Sequence, residues 1–262
     1  MSLQARIEGI GFWSHGLPDW AHAQGFARGA ATEAATPARP APRLLAPNER
    51  RRAPDSVAVA LEVALAACEA AGRDPAMLPS VFASTHGDLA ITDYMCRTLA
   101  SEPQAMSPTR FHNSVHNAAA GYWTIGAGAL APATAISAYR ASFAQGLIEA
   151  LAQLADGSEA VLLVAYDAGG AGALGEMAQS EGLLGAALVL SRDDGSHTDD
   201  GKPLLRAHWQ SGDATAGTGR LARRIAANIM APMLPLFDAL ACGEPSAVVH
   251  AGLDRSLRLE LS

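Results

Sequence analysis

Residues 133–166 constrain the fold of this chain more than any other stretch. An apolar run, Ala133–Ala138 (ATAISA), leads into a helix-like segment, Ala141–Leu154 (ASFAQGLIEALAQL), and then into a second apolar run, Ala160–Tyr166 (AVLLVAY). Short apolar runs flanking a longer amphipathic segment predict a buried strand, a helix and a second buried strand. A strand that turns sharply into a helix is where many acyl-transfer enzymes hold a nucleophile. The helix N-terminus offers unpaired N–H groups and a positive dipole end, which lower a thiol's pKa and hold an oxyanion. Here the corner is Tyr139-Arg140-Ala141-Ser142, and no cysteine occurs from Ser107 to Gly170. The scaffold of a catalytic corner is therefore predicted without its nucleophile.

The remaining patterning extends the same alternation. A first strand is expected at Arg6–Trp13, a short helix at Asp19–Arg28, and an extended path through the proline-rich residues 36–43. A helix begins near Pro54-Asp55-Ser56 and runs to Ala71, where Gly72 stops it. A buried strand at Ser80–Thr85 and a helix at Asp88–Leu99 precede the corner unit. After it come strands at Leu183–Ser191 and Leu204–Gln210, with the polar loop Asp193–Gly201 read as their hairpin connection. Arg220–Leu240 reads as helix interrupted at Pro232 and Pro235, and Ala247–Ala251 with Ser256–Leu261 as a terminal strand pair. Strands alternating with helices imply an α/β layered core.

Composition narrows the function classes. With 262 residues, 49% hydrophobic and 17% charged, the chain describes a packed protein. A net charge of −7 argues against nonspecific nucleic-acid binding, which needs basic surface to displace counterions. An acidic carrier protein would need a local basic patch, for which Arg50, Arg51 and Arg52, or Arg220, Arg223 and Arg224, are available; the bland reading of either is a solvated helix face. Cys68, Cys96 and Cys242 form no CxxC pair, and Cys68 and Cys96 fall in apolar helical patterns. That usage points to a reducing compartment. The first residues carry no basic segment followed by an apolar run, and no apolar stretch reaches the length of a membrane span. The expectation is a cytoplasmic protein with no membrane contact.

The order Ser107-Pro-Thr-Arg-Phe, then Asn113-Ser-Val-His-Asn-Ala-Ala-Ala-Gly-Tyr122, then Gly128 to Asp167, resembles the N-terminal half of β-ketoacyl synthases, the condensing enzymes of fatty-acid and polyketide assembly. Those enzymes share a Ser-Pro segment, an Asn-x-x-x-Gly helix, a Pro-led strand ending in a catalytic Cys, and an Ala-Asp strand followed by Gly-Gly. The resemblance spans roughly residues 5–190 and rests on ordered spacing. It is greatest to the short synthase-like proteins called chain length factors, found beside true ketosynthases in aryl-polyene-type pathways. Laid without gaps from Pro132, the family's catalytic Cys falls on Arg140. The resemblance implies a thiolase-like layered fold with a βαβαβ core, residues 1–192 forming the ketosynthase-like half. Residues 193–262 would be a shortened second half packing on the same core.

The family's two histidines come from the second half, where this chain offers only His197, His208 and His250, none in a Gly-Thr setting. The resemblance therefore implies a subunit without the catalytic set and without a cofactor. Its partner would be a β-ketoacyl-ACP synthase, with an acyl carrier protein as a further candidate. Arg140 cannot act as nucleophile or base; it either plugs the vestigial site and anchors something across it, such as a partner-chain carboxylate, or is merely tolerated there. Ser142 is expected to satisfy backbone donors in a helix first turn.

In the resembled family the segment Phe111-His112-Asn113-Ser114-Val115-His116-Asn117 lies at the subunit interface and reaches the neighbour's acyl tunnel. That makes Phe111, His112, Asn113, Val115 and His116 candidates for tunnel or interface walls. Asn117 would hold loops by hydrogen bonds, and Tyr122 and Trp123 would bury area in a dimer core. On a helix His112 and His116 would share a face, but no third metal ligand accompanies them. Gly169-Gly170-Ala171-Gly172-Ala173 lacks a P-loop Lys-Ser/Thr, so a close backbone approach explains it better. Two other classes stay open: a stand-alone acyl-thioester transferase or hydrolase using His112 or His116 with Ser142, and a homodimeric docking scaffold.

Overall fold

The computed structural model describes residues 3–30, 34–193 and 201–262. The chain opens with strand β1 (Leu3–Ser14) and helices α1 (Trp20–Ala27), α2 (Pro47–Arg52) and α3 (Asp55–Ala71). Strand β2 (Ser80–Ala83) leads to α4 (Leu89–Ser101), α5 (Pro108–Asn113) and α6 (Ala118–Ala127). The corner unit is β3 (Ala133–Ile136), α7 (Ser142–Ala155) and β4 (Ala160–Asp167). Then come α8 (Gly172–Ala178), β5 (Leu184–Ser191), β6 (Leu204–Ser211), α9 (Arg220–Arg224), α10 (Leu234–Cys242), β7 (Ser246–Gly252) and β8 (Arg255–Leu261). Two 3-10 turns, Tyr139–Ala141 before α7 and Ala231–Met233 before α10, sit where the sequence places its corner and its prolines.

All eight strands join one open mixed sheet in the order β3-β2-β4-β5-β1-β6-β8-β7. β2 runs parallel to β3 and β4, whereas β5 runs antiparallel to β4 and β1. The expected hairpin between β5 and β6 does not form. β1 lies between them, pairing along most of its length with β5 and through Leu3–Arg6 with β6. A strand has two hydrogen-bonding edges, and β1 gives one to β5 and the other to β6, with Arg6 paired to Ser191 on one side and Leu204 on the other. Much of the loop between β5 and β6, including His197, lies outside the described residues.

Helices cover both faces. α3 and α6 pack on one side around Phe82, Trp123 and Tyr166. α3 approaches β1 closely because Gly9 and Gly11 face it. A Cβ at Gly11 would overlap the carbonyl of Val63, and one at Gly9 the backbone of Ala67 and Ala71. On the other side α7 and α10 pack against Phe12, Phe143 and Phe237, with ring centroids of Phe12 and Phe237 6.0 Å apart. α7 touches both β4, third in the strand order, and β7, the eighth. Strands lie about 4.8 Å apart, so a flat sheet would separate these two by roughly 24 Å. A helix about 10 Å wide meets both because the sheet curls around it. The layered α/β arrangement is thus thiolase-like, and β6, β8 and β7 extend the same sheet instead of stacking a second complete one.

Two burial expectations are corrected. β3 is a half-exposed edge strand, not a buried one, because its outer side has no neighbour among the described residues. Cys96 is exposed on α4, whereas Cys68 is buried on α3, where burial pushes its thiol up to about 12. Among the described residues no helix is long and apolar enough to cross a membrane.

Candidate functional site

The C-terminal ends of β2, β3 and β4 meet at the corner. The residue that bends the chain there is Tyr139, whose φ of 52° places a non-glycine in the left-handed region. A nucleophile at a strand-to-helix corner sits on the sharply turned, strained residue, so by geometry that position is Tyr139, one before the gap-free match at Arg140. Neither side chain is a thiol. Ser142 caps the turn: its Oγ accepts the N–H of Ala138 at 2.9 Å and donates to the Tyr139 carbonyl at 2.7 Å. It is fully buried, and its hydroxyl is committed to the backbone as expected for a first-turn residue.

Beneath the corner lies a polar network absent from the sequence reading. Asp167, at the end of β4, is buried among apolar strands. Its carboxylate accepts the N–H of Thr85 at 2.9 Å and the hydroxyl of Ser84 at 2.8 Å. Burial pushes its pKa up to about 6 against the opposing pull of those donors. Thr85 then donates its hydroxyl to the Tyr139 carbonyl at 3.3 Å, and Ser137 donates to the Thr85 carbonyl at 2.8 Å. Asn228, near the end of the irregular segment after α9, donates to the carbonyls of Glu181 at 3.2 Å and Asp167 at 3.4 Å. The residues following β2, β3, β4 and α9 are thereby tied into one rigid base.

His86 lies on this base with its ring centroid 6.3 Å from that of Tyr139. Burial, and then the neighbouring His116, push its pKa down, which favours the neutral imidazole. Its Nε2 is enclosed without a hydrogen-bond partner among the described residues. His116 places Nε2 2.9 Å from the Ser84 carbonyl, and since a carbonyl only accepts, that nitrogen carries the hydrogen. The signals for these residues were a polar Ser84-Thr85-His86-Gly87 run directly after an apolar strand, and a lone acid ending another.

The α5–α6 candidates separate into three environments. Phe111 and Val115 are exposed, at 62% and 44%. Asn113 is buried and accepts the Tyr122 hydroxyl at 3.0 Å while donating to the Arg52 carbonyl at 3.3 Å. The loop-holding amide is therefore Asn113; Asn117 makes no side-chain cap at α6. Trp123 is wholly enclosed against Phe82 in the chain's own core and offers no surface to a second subunit. His112 stacks edge-on to Tyr122 at 5.8 Å. α5 ends at Asn113, so His112 and His116 do not share a helix face, and no metal-ligating cluster occurs among the described residues.

Arg140 is exposed and lines two open clefts, one of about 460 Å³ toward β7 and one of about 820 Å³ toward α8. No side-chain hydrogen bond or ion pair engages its guanidinium among the described residues. His250 lines the first cleft, whereas His208 lies 3.5 Å from Glu260 on the outer strands, away from the corner. Gly170 approaches the backbone of Gly175 so closely that a Cβ would lie 2.9 Å from its Cα, the close approach predicted for that glycine run.

The family described as beta-ketoacyl synthase, N-terminal domain, matches residues 19–223. No curated protein sequence matches significantly. Among solved structures, the ketosynthase ApeO in complex with its chain length factor ApeC from Xenorhabdus doucetiae superposes with a TM-score of 0.76 at 22% identity, covering 98% of this chain and 99% of that one. The ishigamide ketosynthase/chain length factor gives 0.70 at 16% identity, covering 98% and 99%. The ketosynthase from module 1 of the bacillaene synthase of Bacillus amyloliquefaciens FZB42 gives 0.58 at 13%, covering 83% of this chain and 48% of that one. At these identities the likeness is one of fold.

Proposed function

The chain belongs to the β-ketoacyl synthase N-terminal-domain family, and from that premise we propose that it is a non-catalytic, chain-length-setting subunit of a true β-ketoacyl-ACP synthase. The observation that carries this reading is the corner itself. It keeps the strand, the strained turn and the helix N-terminus, yet presents Tyr139 and Arg140 where condensation needs a thiolate. The buried Ser142 hydroxyl is committed to two backbone hydrogen bonds, which counts against its use as a nucleophile in a stand-alone acyl-thioester transferase.

Likeness of fold to two ketosynthase/chain length factor assemblies supports the same reading. The chain spans 99% of the matched chain in two ketosynthase/chain length factor assemblies but under half of a modular ketosynthase. A surface suited to a partner is present as well. The free edge of β3 (Ala-Thr-Ala-Ile) carries no charge, and Ile125 and Leu130 beside it are 75% and 99% exposed. An uncharged edge next to exposed apolar side chains is a pairing surface. Phe111 and Val115, exposed on α5 and just past it, are the side chains we assign to closing the partner's acyl tunnel, so that further extension meets a steric clash.

The test is tagged purification from native cells, followed by reconstitution with whatever co-purifies. A near-stoichiometric ketosynthase whose product length shifts when Phe111→Ala or Val115→Trp is introduced supports the reading. Recovery as a homodimer alone, or unchanged products from both variants, overturns it.

A further inference from the structure

A third cleft, to which the corner contributes no residue, opens where α2, α5 and α6 meet. Its frame is fixed by the buried amide of Asn113 on α5. That amide donates to the Arg52 carbonyl of α2 at 3.3 Å and accepts the Tyr122 hydroxyl of α6 at 3.0 Å. One buried side chain bonded to both neighbouring helices holds all three walls in place, so the cleft is preformed. At about 210 Å³ it falls below the roughly 300 Å³ where drug-sized sites begin, and it fits only a small molecule.

Two opposite charges line this cleft without pairing. Glu49 and Arg52 lie three positions apart on α2, a spacing at which helical ion pairs form. Yet no side-chain hydrogen bond or ion pair engages either of them among the described residues. Burial pushes the pKa of the Tyr122 hydroxyl up, and the charges of Glu49 and Arg52 act on that same hydroxyl with opposite signs. Because the hydroxyl spends its hydrogen on Asn113, its oxygen is left to accept. Glu49 and the Tyr122 oxygen therefore supply acceptors for an ammonium group, while Arg52 and the Thr109 hydroxyl supply donors for a carboxylate. Leu45 and Ile125 add apolar lining, and Ile125, 75% exposed, gains from being covered. A ligand small enough for this space that answers both charges must carry both of its own. We propose that the cleft binds an α-amino acid with an apolar side chain, Glu49 receiving its ammonium and Arg52 its carboxylate. The site is complete within this chain and does not depend on the partnership described above.

Calorimetric titration of the full chain at low ionic strength, where exposed charges are least screened, tests this with four ligands. L-Leucine is expected to bind saturably at one site. Glycine lacks the side chain, 4-methylpentanoate the ammonium and 3-methylbutylamine the carboxylate, so each should bind about tenfold more weakly or worse. Glu49→Gln should weaken leucine by about tenfold without weakening 4-methylpentanoate, and Arg52→Gln should do the same without weakening 3-methylbutylamine. Both changes are at exposed side chains, and an unchanged circular dichroism spectrum verifies that the fold is kept. Failure of leucine to bind, equal affinity for either singly charged analogue, or indifference of leucine binding to both variants overturns the proposal. If leucine does not bind but both variants lose a co-purifying protein, the proposal is overturned in favour of a partner's side chains in the same cleft.

Discussion

Asp167 and Thr85 are joined across the sheet: the carboxylate at the end of β4 accepts the backbone N–H of the residue just past β2, at 2.9 Å. Through Thr85 the same carboxylate supports Tyr139, because the threonine hydroxyl reaches the Tyr139 carbonyl. The corner therefore rests on a buried acid 28 positions beyond it in the chain.

That acid makes stability pH-dependent in a defined sense. Burial raises its pKa from 3.8 to about 6, so the folded chain holds a proton that the unfolded chain releases between those values. The stabilisation is fully present below the unfolded pKa and is lost as pH rises through about 6. Asp167→Asn keeps an acceptor for Thr85 and removes the titration. Urea unfolding of both forms at pH 4 and pH 8 should show the variant gaining relative to the parent by about 3 kcal/mol at the higher pH. A difference that does not change with pH would refute this role of burial.

An opposite dependence is expected at the end of α3. Arg73 bonds Glu8 at 2.7 Å and Glu159 at 2.6 Å. The Arg73 hydrogen bond holds the Glu8 carboxyl below its ordinary value, so this contribution exists above pH 4.5 and fades as pH falls through the folded pKa. Arg73→Ala should cost about 1–2 kcal/mol at pH 7 and progressively less in acid, measured by thermal denaturation across pH.

Ser142→Ala tests the corner. It strands the Ala138 N–H and removes the donor to Tyr139, a loss of about 1–2 kcal/mol. Denaturant unfolding should register it as a lower midpoint with an unchanged slope.

Gly11→Ala tests the contact between β1 and α3. The added methyl overlaps the Val63 carbonyl, which is backbone in a packed helix and cannot rotate away. A loss of about 3 kcal/mol is expected by the same measurement, whereas Gly72→Ala, with open space but φ of +66°, should cost about 1 kcal/mol through backbone strain.

The amino-acid sequence by itself determined the element order and the nature of the corner. Periodicity in Ala133–Tyr166 depends on neighbours two to four residues away, so strand, helix and strand are visible locally, and so is the missing thiol. The family's ordered spacing was legible for the same reason. Tertiary structure decided the rest. Placing β1 between β5 and β6 depends on pairing its two edges with strands that begin more than 180 residues later in the chain. Bringing His86 against Tyr139, Trp123 into the core instead of onto a surface, and Arg140 to the mouth of a cleft formed by β7 and α10 requires contacts between residues tens of positions apart. Such contacts are selected by the packing of the whole sheet, whose apolar burial outweighs any local preference of the residues it juxtaposes.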